Sequence, residues 1–297
     1  MTQAIENVSD TAFLVAGFRA AEAERSDALF RDPLAGKLAW DHGRKILATV
    51  PKRFLGAWSV VIRTVIIDSL IRDAIANGAD TILNLGAGLD TRPYRMALPE
   101  SLRWIEVDYP RVIDLKDEHL AGESPNCALE RIKLDLTDRA ARRAFLSDVN
   151  ASAQGVLVIT EGVTPYLTES DVGALADDLR ELDKVRGWIV DYFTPEALNY
   201  GRKIRARFMQ AAPFLFEPKD WFGFFAERGW RTEAVRYLGE EGKRLHRPMP
   251  LSPVTRVWLG LVRFVMTPER RKALLSHVAY VLLVPEDRTN RDRTPQP

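Results

Sequence analysis

The sequence predicts an α/β protein built on a parallel sheet with helices on both faces. Short runs rich in β-branched residues alternate with helix-like stretches through the middle of the 297-residue chain, and this alternation is typical of parallel sheets. Seven candidate strands follow from it, at 81–85, 103–107, 129–134, 156–160, 187–192, 231–238 and 277–285. A helix-like insertion, rather than a simple crossover, separates the last two.

The stretches before and between these runs carry helix signals. Residues 61–78 repeat apolar side chains at helical spacing, and Gly78 is suited to end that helix. Thr137 precedes a second helix-like stretch, and Thr168 or Ser170 precedes a third, in the way that N-cap residues do. Helices are therefore expected to alternate with the strands along the chain.

We interpret residues 1–297 as a single domain with helical additions. Residues 1–60 are expected to form an N-terminal helical lid, and 196–220 and 240–275 to form cap insertions after the fifth strand. These additions are placed to cover the carboxyl ends of the strands, where ligands bind in open α/β sheets. The charged, proline-containing end, 286–297, is expected to be a flexible tail.

Composition narrows the class of protein. The 42 basic and 41 acidic residues leave a net charge of +1, which argues against a nucleic-acid partner held by a broad basic face. The single cysteine, Cys127, excludes an intrachain disulfide, and the four histidines have no metal-ligand spacing. The polar start does not resemble a signal peptide and no apolar run could span a bilayer, so the expectation is a cytoplasmic protein without a membrane partner.

The turn after the first strand indicates the kind of ligand. Its sequence is Gly86-Ala87-Gly88-Leu89-Asp90-Thr91, which lacks the third glycine of a dinucleotide-binding turn. Gly86 and Gly88 allow a ligand to lie against bare backbone. Asp90 is expected to repel phosphate and attract a positive group. The turn therefore favours a cationic, phosphate-free nucleoside, and S-adenosylmethionine fits that description.

Acidic residues follow the next strands. Asp108 ends the second strand about 20 residues past the glycines, where a carboxylate can bind both ribose hydroxyls. Asp135 and Leu136 follow the third strand and are suited to the adenine edge, and Glu161 follows the fourth and is expected to face the charged end of the ligand. Each acid could instead be a helix N-cap, and the spacing of Asp108 does not separate this site from an NAD site.

Four segments in order carry a family resemblance: "NLGAGLDTRPYRM", "WIEVDYPRVIDLK", "LDL" and "ITEGVTPYLTESDV". They resemble the leucine carboxyl methyltransferase-like family of S-adenosylmethionine-dependent methyltransferases, which includes bacterial polyketide O-methyltransferases. The resemblance covers residues 9–195. It implies a class I methyltransferase fold, Rossmann-like, whose seven-stranded sheet is mostly parallel with the last strand antiparallel.

The resemblance also implies roles for individual residues. Gly86 and Gly88 would pass beneath the methionine part of the cofactor, and Asp108 would take the ribose hydroxyls. Asp135 and Leu136 would flank the adenine. The amino-acid end would lie near Glu161, with Arg63 pairing the cofactor carboxylate and Arg19 as a second contact. From its pattern alone, Arg63 would be a solvated arginine on an amphipathic helix.

The expected reaction is O-methylation of a carboxylate or hydroxyl on a small molecule, with a polyketide-like metabolite as one option. A carboxylate acceptor is already ionised at neutral pH, whereas a phenol would be helped by a base. Tyr166 and Tyr192 are candidates for that role, with Asp191 and His246 as weaker ones. The aromatic residues of 214–225 could line an acceptor pocket or belong to the core.

Two other functions stay open at this point. One is an NAD-dependent oxidoreductase, which would need the missing third glycine. The other is a protein that binds S-adenosylmethionine without transferring its methyl group. The sequence predicts neither a metal site nor an oligomeric state.

Overall fold

A computed structural model of the protein describes residues 8–39, 55–199, 214–252 and 275–287, with positions 43, 255 and 267. Its centre is a seven-stranded sheet with the order β3-β2-β1-β4-β5-β7-β6. The strands are β1 Thr81–Leu85, β2 Arg103–Asp108, β3 Ala128–Lys133, β4 Val156–Thr160, β5 Val185–Phe193, β6 Trp230–Tyr237 and β7 Val278–Pro285.

The strand predictions are confirmed to within two residues at every boundary. The pairs from β3 through β5 are parallel, and β7 is antiparallel to both β5 and β6. The order reverses between β1 and β4, because β2 and β3 lie on one side of β1 and the later strands on the other. A crevice for a ligand is expected at such a switch point, outside the carboxyl ends of β1 and β4.

The helices with defined bounds are α1 Val8–Ala23, α2 Leu55–Ala76, α3 Arg92–Arg95, α4 Pro110–His119, α5 Arg139–Ser152, α6 Glu169–Glu181, α7 Trp221–Ala226 and α8 Leu238–Arg244, with a 3-10 turn at Thr164–Tyr166. The helix expected at 61–78 starts earlier, at Leu55, because Trp58 extends its apolar face into the core. It ends before Gly78, which has φ +90°.

Side-chain hydrogen bonds to backbone amides identify the N-cap residues of α5 and α6. Thr168 caps α6, with its hydroxyl accepting from the amide of Asp171. Asp138, rather than Thr137, caps α5 by accepting from Ala141. Thr137 is unavailable because its own amide and hydroxyl both donate to Asp135.

The core lies on both faces of the sheet. On one face, α5, α6 and α7 cover a cluster that contains Trp188 and Trp230, and on the other, α2 and α8 cover a cluster that contains Trp104. The indole N–H of Trp188 donates to the Thr160 hydroxyl at 2.9 Å, so this large apolar group is buried without an unpaired donor. The packing holds the carboxyl ends of β1, β4 and β5 rigidly side by side.

The expected N-terminal lid is described only in part. Helix α1 approaches the glycine turn, because a Cβ placed on Gly88 would lie 3.7 Å from Cβ of Ala12. Most of 40–54, 200–213 and 253–274 lies outside the described residues, as does all but the first two residues of the tail expected at 286–297. The division into lid, caps and tail therefore stays a prediction.

Candidate cofactor site

The glycine turn has the backbone geometry that its sequence requires. Gly86 has φ +71° and Gly88 has φ +49°, a region that favours glycine. A Cβ on Gly86 would lie 2.4 Å from Cγ2 of Val163. Only a residue without a side chain lets the segment after β4 pack against this turn.

Asp108 is fixed by the backbone around it. Its Oδ2 accepts from the amide of Gly88 at 2.7 Å, and its Oδ1 accepts from the amide of Tyr109 at 2.7 Å. Burial raises the pKa of Asp108, although these two amides counteract the effect. No basic side chain in the described ranges forms an ion pair with it. Each carboxylate oxygen keeps capacity for another donor, so this group fits a pair of ribose hydroxyls.

Asp135 and Leu136 follow β3 beside Asp108. Oδ1 of Asp135 accepts from the amide and the hydroxyl of Thr137, at 2.8 and 2.7 Å. Leu136 is partly buried against the core cluster under α5. The two residues lie where the sequence predicts, next to the tip of β2.

Tyr109 is a candidate that the sequence interpretation missed. The residue is 50 % exposed, and burial together with the nearby carboxylates of Asp135 and Asp108 raises the pKa of its phenol. Its accessible ring therefore lies between the tips of β2 and β3. The available signal was an aromatic residue directly after the acid of a strand tip.

Glu161 lies between two arginines. Its Oε1 is 2.8 Å from Nε of Arg63 on α2, and its Oε2 accepts from Arg92 at 2.8 Å. Burial opposes ionisation of Glu161, but the attraction of Arg92 and Arg63 outweighs it and lowers the pKa. The structure thus brings Arg63 and Glu161 together, with the charge of Glu161 already compensated, and their roles towards the cofactor stay predictions.

Asp90 is placed differently from the expectation. Its Oδ2 accepts from Arg92 and from Asn84, each at 2.9 Å, and its Oδ1 accepts from the amide of Arg92. The carboxylate is buried and holds the turn from inside instead of presenting a free charge to a ligand. The reason is that Arg92, only two residues further, folds back over it.

Arg19 also has a structural position. Its guanidinium donates to the carbonyl of Leu89 at 2.5 Å and to Asp32 at 2.9 Å. The hydroxyl of Thr91 donates to the same Asp32 oxygen. These contacts attach α1 to the glycine turn, and they direct Nε and Nη2 of Arg19 to protein acceptors.

Asp191 lies beside Arg63 at the tip of β5. Its Oδ2 accepts from the amide of Gly162 at 2.8 Å, and Tyr280 on β7 is its cross-strand neighbour. The side chain is buried, and burial raises its pKa to about 6, while Arg63, Tyr280 and the Gly162 amide favour ionisation and Glu161 opposes it. Asp191 therefore ionises only above about pH 6, and its ionised form places a negative charge next to Arg63.

Replacing Asp191 with asparagine is expected to stabilise the fold at neutral pH. For an acid with a raised folded-state pKa, the stabilisation is complete at low pH and is lost as pH rises to about 6. At about 1.4 kcal/mol per pH unit, the loss is on the order of 3 kcal/mol. Urea unfolding at pH 8 should therefore show a gain for Asp191→Asn, and the gain should disappear near pH 4.

A matched control is Asp178→Asn. Asp178 is also a buried aspartate, but it pairs with Arg142 at 2.5 Å. Its replacement should destabilise the protein at pH 8, because the buried arginine loses its partner. A loss of stability at pH 8 in Asp191→Asn would mean that the attraction to Arg63 exceeds the cost of burial.

The two tyrosines proposed as bases lie among aromatic rings. Tyr192 contacts Trp221 and Phe222 at 5.3 and 5.1 Å, and burial raises its pKa, so its phenol stays protonated at neutral pH. Tyr166 makes an edge contact with Phe214 at 5.1 Å. His246 follows α8 with φ 55°, and no described contact joins it to these tyrosines.

A histidine that the sequence interpretation set aside lies at the same edge of the sheet. Nδ1 of His277 is 3.1 Å from the hydroxyl of Thr194, just beyond β5, and its carbonyl accepts from the Thr194 amide. The antiparallel direction of β7 brings its first residues to the carboxyl end of β5. Sequence spacing gave no signal for this, since 83 residues separate the two side chains.

Two further searches concern metals and membranes. Within the described ranges, no group of three or more histidine, cysteine or acidic side chains is arranged to hold a metal ion. In the same ranges, none of the helices combines the length and apolar character needed to cross a membrane.

The seven-stranded sheet with one antiparallel strand, the glycine turn and the acid that ends β2 fit a class I S-adenosylmethionine-dependent methyltransferase. Comparison with known proteins agrees with this class. A family model described as leucine carboxyl methyltransferase matches residues 12–180, which is more than half of the chain. The chain belongs to the leucine carboxyl methyltransferase family, and its methyl donor is S-adenosyl-L-methionine.

Individual relatives carry the same description. The chain is 37 % identical over 266 residues to a "Putative S-adenosyl-L-methionine-dependent methyltransferase" of Streptomyces coelicolor, covering 82 % of this chain and 89 % of the relative. A similarly named protein of Mycobacterium tuberculosis is 31 % identical over 279 residues, with the same coverage. Membership of this methyltransferase family sets aside the oxidoreductase alternative.

A solved structure supports the fold. The crystal structure of a "putative methyltransferase" from Thermobifida fusca superposes with a TM-score of 0.56 and covers 96 % of both chains at 13 % identity. At that identity the likeness shows the shared fold alone.

Proposed function

We propose that the protein transfers a methyl group to a carboxylate oxygen of a small molecule with a flat, apolar body, such as a polyketide-like metabolite. The observation that carries this proposal is an aromatic shelf formed by Tyr166, Phe193 and Phe214. Phe214 contacts the rings of Tyr166 and Phe193 at 5.1 and 5.4 Å. All three are partly buried, next to the tips of β4 and β5. Such a surface suits an aromatic or apolar acceptor.

The cofactor residues proposed from sequence fit one orientation of the donor. Asp108 would accept hydrogen bonds from the ribose hydroxyls, and the adenine would lie between Tyr109 and Leu136. The glycine turn would carry the methionine part, with Arg63 binding its carboxylate and Glu161 holding Arg63 in place. This arrangement directs the reactive end towards Asp191 and the aromatic shelf.

The chemistry needs little from the protein beyond positioning. S-adenosyl-L-methionine supplies a methyl group bonded to a positively charged sulfur. The acceptor oxygen forms the new bond to the methyl carbon, and the electron pair of the broken carbon–sulfur bond stays on sulfur. A carboxylate is ionised at neutral pH, so this step moves no proton. Holding the acceptor in line with the carbon–sulfur bond supplies much of the acceleration.

The family name, leucine carboxyl methyltransferase, supports a carboxylate acceptor. A hydroxyl acceptor is the second candidate, and His277 favours it. Its imidazole lies at the acceptor edge with Nδ1 bonded to Thr194, and a neutral imidazole can take the proton of a phenol as the oxygen attacks. The two acceptors therefore differ in whether His277 is needed.

The test is a methyl-transfer assay with isotope-labelled S-adenosyl-L-methionine and paired aromatic carboxylic acids and phenols. We expect label in the acids, released as methanol by mild base because it is held as an ester. His277→Asn should leave this activity unchanged, whereas it should lower phenol methylation about a hundredfold if the hydroxyl route operates. The same assay is run with a cell extract as the source of acceptors. Label found only in the RNA or protein of that extract would refute a small-molecule acceptor.

A further inference from the structure

A second cavity lies away from the proposed methyl-transfer site, between the segment after α1, helix α2 and the end of α3. Its volume is about 250 Å³. Three arginines line it, Arg31, Arg72 and Arg95, together with Asp68 and apolar side chains that include Phe30 and Val65. On helix α2, Arg63 faces Glu161, whereas Val65, Asp68 and Arg72 face this cavity.

The charge of the cavity wall is positive in excess. Asp68 is its acidic group among the described lining residues, and both of its oxygens are already used. Oδ1 accepts from Arg92 at 2.7 Å and from Arg95 at 2.8 Å, and Oδ2 accepts from Arg95 at 2.6 Å. The negative charge of Asp68 is therefore shared by two buried arginines, Arg95 in the cavity wall and Arg92 outside it. Asp68 does not compensate the charges of Arg31 and Arg72.

Donors on the rim stay available for a ligand. Within the described part of the chain, Arg72 forms neither a hydrogen bond nor an ion pair, and its side chain is exposed. Among the described contacts, the guanidinium of Arg31 donates through Nη1 alone, to the carbonyls of Ala23 and Arg25. Arg95 is held in place by Asp68 and by the face of Phe30, whose ring centroid is 5.2 Å from its guanidinium carbon. The wall thus offers all the donors of Arg72, the remaining Nε and Nη2 donors of Arg31, and the fixed charge of Arg95.

We propose that this cavity binds a small organic anion that has one carboxylate and an apolar body. The arginines would take the carboxylate, which their planar forks match in geometry. Phe30 and Val65 would pack against the body. At about 30 Å³ for each water in the liquid, the cavity holds the equivalent of about eight waters, which suits a ligand of about ten heavy atoms. Inorganic phosphate would satisfy the charge but leave the apolar wall unused.

The test is calorimetric titration of the full-length protein with benzoate and, as a neutral molecule of the same shape, benzamide. Benzoate is expected to bind about tenfold more tightly than benzamide, the effect of about 1.4 kcal/mol from charge-assisted hydrogen bonds. Arg72→Gln should weaken benzoate about tenfold and leave benzamide unchanged. The matched control is Arg186→Gln, an exposed arginine on β5 that is absent from the cavity wall.

A second variant, Ala97→Phe, tests benzoate binding in the cavity without changing Arg72. Ala97 lines the cavity and is exposed, so Ala97→Phe should fill part of the space and reduce benzoate binding without changing a charge. Benzoate could also enter the proposed acceptor site, but that binding would not respond to Arg72→Gln or Ala97→Phe. Benzoate binding that is absent, equal to benzamide binding, or unchanged in both variants would overturn the cavity proposal and leave the methyl-transfer proposal standing.

Discussion

Replacing Asp108 with alanine is expected to abolish binding of S-adenosyl-L-methionine while the sheet stays folded. The proposed ribose contacts are two charge-assisted hydrogen bonds, each contributing about 1.5–3 kcal/mol, so the affinity should fall at least a hundredfold. The loss should be equal for adenosine, because the ribose belongs to both ligands. Calorimetric titration with each ligand measures it, and far-UV circular dichroism checks the fold.

Comparing Asp108→Asn with Asp108→Ala separates loss of the negative charge from loss of the contact to the glycine turn. Asp108→Asn keeps an oxygen that can accept from the amide of Gly88, now bonded at 2.7 Å. It therefore preserves this contact to the turn while removing the charge and the acceptor for the Tyr109 amide, and it should bind both ligands more weakly than wild type but better than alanine does. Wild-type affinity in Asp108→Ala would contradict the ribose role.

Arg63→Ala is the matched comparison at the other end of the cofactor. It should weaken S-adenosyl-L-methionine far more than adenosine, because adenosine has no carboxylate to pair with Arg63. Its stability is expected to fall as well, since Glu161 loses one of two arginine partners. Equal losses for both ligands would contradict the assignment of Arg63 to the methionine carboxylate.

The fold was predictable because its signals are local. The central strands β1 and β4 are runs of mainly β-branched and apolar residues, and every residue in them is buried. The helix caps were less certain, because Thr137 and Asp138 are both good cap residues. Asp138 is the cap because the amide and hydroxyl of Thr137 both donate to Asp135.

The site was predictable only in its strand-tip acids. Asp108, Asp135 and Glu161 all lie at the expected edge, but their electrostatic states depend on partners far away in the sequence. The sequence interpretation treated Asp90 and Glu161 as free negative charges, whereas Arg92 binds both. Selection of a sulfonium donor therefore cannot come from those two acids. Asp108 and Asp135, which form no ion pair with described residues, are the acids left to face the nucleoside.

Replacing Arg92 with alanine is expected to be the most destabilising change in this region. Arg92 is 2 % exposed, and its guanidinium binds the carboxylates of Asp68, Asp90 and Glu161 at 2.7–2.9 Å. Removing one partner from a buried ionic network costs about 3–5 kcal/mol. At about 2–4 °C for each kcal/mol in a large domain, the melting temperature should fall by about 10 °C.

The pH dependence gives this prediction a specific sign. Burial opposes ionisation of the three carboxyls, but the arginines outweigh it and hold their pKa values below the usual range. Their stabilisation is therefore present above the unfolded-state pKa values near 4 and is lost as pH falls further. The difference between wild type and Arg92→Ala should be largest at neutral pH and should shrink below about pH 4.

Arg231→Ala is the matched control for Arg92→Ala. Arg231 pairs with Glu233 at 2.6 Å, but the two side chains are 59 % and 47 % exposed. Because water screens an exposed pair, this variant should lose less than about 1 kcal/mol. Arg92→Lys keeps one positive charge without the planar fork, so its stability should lie between wild type and alanine. Wild-type stability in Arg92→Ala at pH 7 would show that Arg63 and Arg95 alone can compensate the three carboxylates at the top of the sheet.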